Sequence, residues 1–447
     1  MSKLNGKHVV IGLGKTGLSC VRFLKRLECE VAVIDTRSEP PGREELAATF
    51  PDVPLLTGAL DKYDLTQAQE LIVSPGVSIR TKSIAKAQAA GVSVAGDVEL
   101  FARSVSAPVI AVTGSNGKST VVSLLGKSLE QAGYDVCVAG NIGLPVLDAL
   151  SCCENVDVWV LELSSFQLET THSLRAKVAV NLNVSEDHMD RYDSLDDYAM
   201  AKQRIFDGCE SAVYWLEDLR TKPVQPLNNL NPYGGNEALH GRFYTKTQQG
   251  EETVFDGAKP VVSASELRIK GSHNLLNVAV TLTALVEFGL DYKLALPAVK
   301  SFPGLPHRCQ WVADVDGVHW YNDSKGTNVG SAIAAIEGLA LGKKAQLIWL
   351  AGGEGKDADF SPLTQAVSAN VSLAVLFGRD AEKLSQSING SVKTVQVDTL
   401  EQAVDVAREH AASDDIVLLS PACASFDQFK DFVDRGNQFM QLVKGAS

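Results

Sequence analysis

The sequence predicts an α/β fold in three domains, on three observations. A strand pattern runs into the glycine turn Gly12-x-Gly14-x-x-Gly17, a second runs into TGSNGKST at 113–120, and a third series of strands and helices starts after FPGLPHR at 302–308. At 447 residues the chain exceeds one ordinary core.

Residues 7–35 read as strand (HVVIGL), glycine turn (GKTG), amphipathic helix and strand (EVAVID), a βαβ opening. ELIVSPG at 70–76 is a further strand, followed by a helical stretch and the short VSV at 92–94. The pattern pauses at Gly96. APVIAVTGSNGKST at 107–120 restarts it, with a helix to about Gln131, strands at 158–164 and 176–185, and a helix near 196–206. The stretch 222–262, rich in Pro, Asn, Gly and Thr, predicts an irregular β insertion. A helix runs from Asn274 to about Phe288. Beyond the prolines of 302–308, VHWYND, AQLIWLAGG, VSLAVLFG and DIVLLSP alternate with helical patterns, the mark of a mostly parallel sheet. The expected division is an N-terminal Rossmann-like domain (1–96), a central P-loop ATPase-like domain (97–304) and a C-terminal Rossmann-like domain (305–447).

Hydrophobic residues make up 45% and charged residues 21%, a soluble globular composition, and no apolar run is long enough to cross a bilayer. The opening MSKLNGKHVVIGLG lacks the apolar core and cleavage site of a signal peptide, so a cytoplasmic protein is expected. A net charge of −13 argues against binding nucleic acid or an anionic membrane surface. The eight cysteines show no CxxC spacing and read as reduced thiols.

The first glycine motif, with Asp35 at the next strand end, suits a nucleoside diphosphate: the glycines allow close backbone approach, the helix N-terminus offers free N–H groups, and an acid suits a ribose hydroxyl. Thr36 and Arg37 add donors. Helix–sheet packing alone would also ask for these glycines. The second motif, Gly114-Ser115-Asn116-Gly117-Lys118-Ser119-Thr120, is a shortened P-loop, with Val112 where the full form has glycine. Its backbone would wrap phosphate, Lys118 neutralise it, and Ser119 or Thr120 reach Mg²⁺. Glu162, and His188 among Asp187 and Asp190, are candidate metal or acid–base groups at strand ends. Taken alone, His188 reads more readily as a surface histidine. NDSKGT at 322–327, GGEGKDADF at 352–360 and SPACASFDQFKDF at 420–432 stand at probable strand ends of the third domain, where either ligand contacts or helix caps occur.

With these pieces together, the chain resembles the Mur ligase family from about residue 5 to 440. TGSNGKST, ELSSFQLE, NVSEDHMDRY, GSHNLLN, LPHR and NDSKGTN carry the likeness. GLGKTGLS, IDTRSEPPG, GNIGLP and SPACASFDQFKDF point to the branch that adds D-glutamate to UDP-N-acetylmuramoyl-L-alanine through an acyl phosphate, releasing ADP and phosphate. The resemblance implies a UDP-substrate site of Lys15, Thr16, Asp35, Thr36, Arg37, Gly76 and Asn141. It implies ATP on the loop 114–120 with Asn274, Asn277, His307, Arg308, Asp323 and Lys325. Mg²⁺ would sit with Ser119, Thr120, Glu162, His188 and a carbamylated Lys202. D-Glutamate would meet His188, Thr327, Lys356, Ser425 and Phe432. Catalysis would fall to Lys118, Glu162, His188 and Lys202, in a monomer with small-molecule partners. Lys15 and Phe426 depart from the leucines common at those positions. The rivals are a dehydrogenase, which leaves the P-loop unexplained, a non-catalytic nucleotide sensor, and a sister ligase with another amino acid.

Overall fold

The computed structural model describes residues 4–235, 241–248, 250–340, 346–388 and 390–445. The first domain is built on β1 (His8–Ile11), α1 (Lys15–Arg26), β2 (Val31–Asp35), α2 (Arg43–Thr49), β3 (Leu55–Thr57), β4 (Glu70–Val73), α3 (Lys82–Ala89) and β5 (Ser93–Ala95). The strands form a parallel sheet in the order β3-β2-β1-β4-β5. Each strand is a short β-branched or leucine-rich run, nearly all of it buried in β1, β2 and β4, as a sheet covered on both faces requires. The chain turns from β1 into α1 at Gly12 and Gly14. Gly17 has a steric reason: a Cβ there would lie 1.9 Å from the Gly12 carbonyl oxygen.

The middle domain follows with α4 (Asp97–Ala102), β6 (Val109–Thr113), α5 (Lys118–Gln131), β7 (Val136–Gly140), α6 (Val146–Cys152), β8 (Val158–Glu162), α7 (Ser165–Leu168), β9 (Val178–Asn181), α8 (Leu195–Gln203), β10 (Ser211–Trp215) and β11 (Leu230–Tyr233). Its parallel sheet has the order β11-β10-β9-β6-β8-β7. The stretch expected to be an irregular insertion divides in two. β11 joins the main sheet, while β12 (Phe243–Gln248), β13 (Glu251–Asp256) and β14 (Lys259–Ser263) make an antiparallel sheet of their own. The long apolar α9 (Ser272–Phe288) then packs against β12 and β13 and across the main sheet, before α10 (Leu296–Ser301). Cys137 of β7 and Cys153 after α6 are paired in a disulfide, a departure from the thiols expected for both.

The third domain opens with the antiparallel pair β15 (Gln310–Val315) and β16 (Val318–Asn322). There follow α11 (Val329–Ala340), β17 (Leu347–Gly352), α12 (Leu363–Asn370), β18 (Val371–Phe377), α13 (Ala381–Ser387), β19 (Lys393–Gln396), α14 (Leu400–His410), β20 (Ile416–Leu419) and α15 (Phe432–Lys444). The sheet order is β15-β16-β20-β17-β18-β19, with β15 the antiparallel edge.

One apolar core runs continuously from Val10 and Leu24 of the first domain to Ala111 and Leu161 of the middle domain. The third domain keeps separate cores on the two faces of its sheet. The first two domains are therefore welded by burial. The third meets the middle domain through polar contacts and the packing of α11 on α9.

Candidate active site

In a parallel sheet, ligands gather beyond the carboxyl ends of neighbouring strands that lead in opposite directions. β6 lies between β9 and β8, so the loops after these three strands converge. The loop after β6 needs glycine at 114 and 117, where φ is +144° and +84°. Lys118 begins α5 and donates through Nζ to the Gly114 carbonyl at 2.7 Å and the Ser115 carbonyl at 2.9 Å. Lys202 of α8, 1% exposed, donates to the same Gly114 oxygen at 2.9 Å. Burial pushes both ammonium groups down in pKa, Lys202 far below the usual lysine range, and the charge of Lys118 adds to that effect.

Glu162 ends β8 and is buried. Its Oε2 accepts from Ser119 Oγ at 2.6 Å and its Oε1 from Asn141 Nδ2 at 2.9 Å. From the third domain, Arg308 Nη2 donates to Ser119 Oγ at 2.6 Å. Glu162 and Ser119 thus present oxygen donors of the kind Mg²⁺ takes. Among the described residues no three His, Cys, Asp or Glu side chains gather into a group that could hold a metal ion.

The loop after β9 closes the other side. Asn183 braces the P-loop by accepting from Asn116 N at 2.8 Å and donating to the Asn116 carbonyl at 3.0 Å. Asp187 is ringed by Asn328 Nδ2 at 3.4 Å, Lys356 Nζ at 3.6 Å and His188 Nε2 at 3.7 Å. Burial would raise its pKa, but His188 and Lys356 hold it below the ordinary value. His188 takes φ of +59° and packs its ring edge-on against Phe166, centroids 4.7 Å apart. Burial lowers its pKa, against the pull of Asp187, and favours the neutral imidazole.

A cavity of about 320 Å³ lies between the middle and third domains, lined by Asn116, Gly117, Thr120, Asn274, Asn277, Arg308, Asp323 and Lys325 among the expected nucleotide residues. Trp215, Tyr233, Leu182 and Ile269 give it an apolar wall. Asp323 is buried, accepts from Ser420 Oγ at 2.7 Å and Cys309 N at 3.1 Å, and is pushed up to about 6, chiefly by burial. Lys325 is pushed down to about 8 by burial and by Arg308 and Lys118. Gly114, Ser115, Lys118 and Ser119 do not line the cavity. Neither does His307, whose ring is buried in the third domain, Nδ1 2.9 Å from Asn322 Nδ2, while its carbonyl accepts from Lys325 N at 3.0 Å.

Of the expected amino-acid set, Lys356 reaches the Asp187–His188 pair. Phe432 lies under Lys325 Nζ, 4.1 Å from the ring centroid. Thr327 N donates to the Lys325 carbonyl at 2.8 Å, and Ser425 is buried beyond β20. In the first domain, both Asp35 oxygens are taken, by Arg37 Nε at 2.9 Å, Arg37 Nη2 at 2.7 Å and Leu13 N at 2.7 Å. Burial opposes ionisation there, but these donors win and hold the carboxyl at about 2. Thr36 and Lys15 are exposed, with Thr16 beside them on the first turn of α1, and Gly76 sits in the Ser74–Val77 turn. Asn141 is drawn onto Glu162.

Sequence reasoning missed Asn183, Asn328, Arg191 and Arg435. The first three fall within or beside the family-like motifs. Arg435, fully buried in α15, donates to Ser324 Oγ at 3.0 Å and to the Ser324 and Cys423 carbonyls at 2.8 and 3.1 Å. Nothing in its helical pattern distinguishes it from a surface arginine.

Comparison with known proteins gives three successive family matches: the "Mur ligase MurD-like, N-terminal domain" at 6–96, the "Mur ligase middle domain" at 112–285 and the "Mur ligase, glutamate ligase domain" at 307–423. The UDP-N-acetylmuramoylalanine–D-glutamate ligase of Marinobacter nauticus is 47% identical over 440 residues, covering 98% of both chains. The protein of the same name from Pseudomonas fluorescens is 44% identical, covering 99% of both. Among solved structures, a pseudomurein peptide ligase type C from Methanothermus fervidus superposes with a TM-score of 0.63 at 17% identity, covering 99% of this chain and 100% of that one. The UDP-N-acetylmuramate-alanine ligase of Thermotoga maritima gives 0.61 at 17% identity, with the same coverage. At that identity the structures speak to the three-domain fold.

Proposed function

The chain belongs to the Mur ligase family, and on that premise we propose that it joins D-glutamate to UDP-N-acetylmuramoyl-L-alanine at the expense of ATP, the ligation for which its curated relatives are named. The observation that carries the reading is the convergence of Lys118, Arg308 and Lys325, from two domains, on Glu162, with Asp187 also facing Lys118 and Lys325. That much positive charge around two carboxylates suits a reaction that places a carboxylate against a triphosphate.

In this reading residues 1–96 hold the UDP-sugar, 97–304 ATP, and 305–447 the amino acid. The alanine carboxylate of the substrate attacks the γ-phosphorus and ADP leaves, giving an acyl phosphate. Lys118 and Arg308 neutralise the phosphoryl oxygens, as Lys325 does from across the cleft. Neutral His188 accepts a proton from the D-glutamate ammonium, and Asp187, 3.7 Å away, stabilises the imidazolium that forms. The free amine adds to the acyl carbonyl and phosphate departs. Glu162 and Ser119, with Thr120 and a carbamylated Lys202, would hold Mg²⁺, which when bound supplies charge neutralisation at the phosphates, and His188 keeps its one lone pair for the proton. Lys202 suits carbamylation because burial lowers its pKa far below the usual lysine range and so favours the uncharged, nucleophilic amine. Closure of the third domain keeps water from the acyl phosphate. The enzyme works as a cytoplasmic monomer; no helix among the described residues is long and apolar enough to cross a membrane.

The test is phosphate release from ATP in the presence of UDP-N-acetylmuramoyl-L-alanine, with D-glutamate, L-glutamate, D-alanine or no amino acid. Release and amide product with D-glutamate alone are expected. Equal release with every amino acid, or none with D-glutamate, rejects the assignment.

A further inference from the structure

Arg191 stands on the loop after β9, in the middle domain, yet its guanidinium reaches into the first domain. Nη1 donates to the Pro75 carbonyl at 2.8 Å and Nη2 to the Val77 carbonyl at 3.3 Å, the two residues flanking Gly76. Nη2 also donates to Glu169 Oε2 at 2.7 Å, with the side chains of Arg191 and Glu169 12% and 10% exposed. The face of the guanidinium lies 4.0 Å from the centroid of Phe166, whose ring in turn meets the His188 imidazole at 4.7 Å.

The turn that Arg191 grips leads on to the glycine turn. Ser74 N donates to the Ile11 carbonyl at 2.9 Å, Ser74 Oγ donates to the Gly12 carbonyl at 3.0 Å, and Val77 N closes the turn onto Ser74 O at 2.9 Å. A continuous set of contacts therefore runs from the glycine turn of the first domain, through Ser74, the 75–77 carbonyls, Arg191 and Phe166, to His188. Arg191 N also donates to the His188 carbonyl at 2.9 Å.

One donor of the group is left out of these contacts. Arg191 Nε is buried without a hydrogen-bond partner among the described residues, which costs about 1–3 kcal/mol where it occurs. The neighbouring tie of Arg80 to Asp193 and Asp197 is exposed and contributes little. Uncompensated costs of this kind concentrate where function sets the geometry.

We propose that Arg191 is a positioning residue that fixes the spacing between the nucleotide-binding turn of the first domain and the reacting centre at His188. This rests on the reading that one substrate spans both domains. Such a substrate must place its carboxylate against the phosphate held by Lys118 while its diphosphate stays at the glycine turn, and a shift of an ångström between the two ends is felt in the rate rather than at either end alone. A guanidinium meets the demand because it is planar and binds three acceptors and a ring at once; an ammonium cannot.

The test compares Arg191→Lys and the milder Glu169→Gln with the wild type, reading affinity for UDP, affinity for ADP, and kcat and KM for UDP-N-acetylmuramoyl-L-alanine. For Arg191→Lys the expected result is a fall in kcat of about 100-fold with UDP and ADP affinities within about twofold of wild type, and a smaller fall of the same pattern for Glu169→Gln. Unchanged kcat in Arg191→Lys overturns the proposal, as does joint loss of UDP and ADP affinity with a lowered thermal midpoint, the mark of a merely structural arginine. If the wild type releases no phosphate with D-glutamate, the proposed function fails by itself. The clamp is then read from binding: the advantage of UDP-N-acetylmuramoyl-L-alanine over UDP shrinks in Arg191→Lys if the clamp is real and stays the same if it is not.

Discussion

Arg308 Nη2 of the third domain lies 2.6 Å from Ser119 Oγ of the middle domain, and that hydroxyl lies 2.6 Å from Glu162 Oε2. A guanidinium, a P-loop hydroxyl and a buried carboxylate therefore stand in line across the domain boundary.

Removing the guanidinium should weaken the handling of ATP. Arg308→Ala is expected to lower kcat/KM for ATP by about 100- to 1,000-fold, with affinity for UDP unchanged, and Arg308→Lys should recover little of the loss. Steady-state kinetics with varied ATP read both variants. A lysine variant equal to wild type would contradict the geometric account.

If Lys202 carries the proposed carbamate, its burial serves the reaction rather than the fold. A buried amine beside Lys118 is unfavourable for the fold. Lys202→Met should match or exceed the wild-type thermal midpoint while losing ligase activity. Wild-type activity should also fall after exhaustive removal of carbon dioxide and return with bicarbonate. No response to bicarbonate sinks the carbamate.

Asp323 gives a pH signature. Its carboxyl is raised to about 6 from the ordinary 3.8, so its contribution to stability is fully present below 3.8 and lost as pH rises through about 6. An asparagine in its place carries no charge to bury. Asp323→Asn should therefore gain stability relative to wild type between about pH 4 and 7, by up to about 3 kcal/mol, and hold the gain above that. Denaturant unfolding at several pH values checks this. A difference between the two proteins that is the same at acid and neutral pH argues against it.

Gly17→Ala tests the first domain alone. The added Cβ would sit 1.9 Å from a backbone oxygen, which no side-chain rotation relieves. Unfolding should be easier by about 1–3 kcal/mol, and UDP should bind more weakly while ADP does not. Calorimetry resolves the two ligands, and an equal effect on both would place the strain elsewhere.

Strands, glycine turns and the P-loop were legible in the sequence because each joins a β-branched run to glycines at a spacing with one steric solution. The edge strands β3, β7, β15 and β19, each with partly exposed residues, and the buried β10 were not picked out, and β11, which carries Pro232, lay within the stretch expected to be an irregular β insertion. Site residues were legible as types but not as partners. Asp35 carries the acid its position asks for, yet spacing cannot show that Arg37 folds back onto it, nor that His307 turns into the third domain to hold Asn322. Arg191 went unremarked within a family-like motif because its acceptors are carbonyls more than a hundred residues away. The Cys137–Cys153 pair has no local signature either.

The central claim is that Lys118, Arg308 and Glu162 serve the attack of a carboxylate on the γ-phosphorus of ATP. It is tested most directly with UDP-N-acetylmuramoyl-L-alanine carrying ¹⁸O in its alanine carboxylate, turned over with ATP and D-glutamate, and the released phosphate weighed by mass spectrometry. One ¹⁸O in each phosphate is the predicted result. Phosphate free of label would mean that ATP is cleaved by water, and would contradict the acyl phosphate on which the account rests.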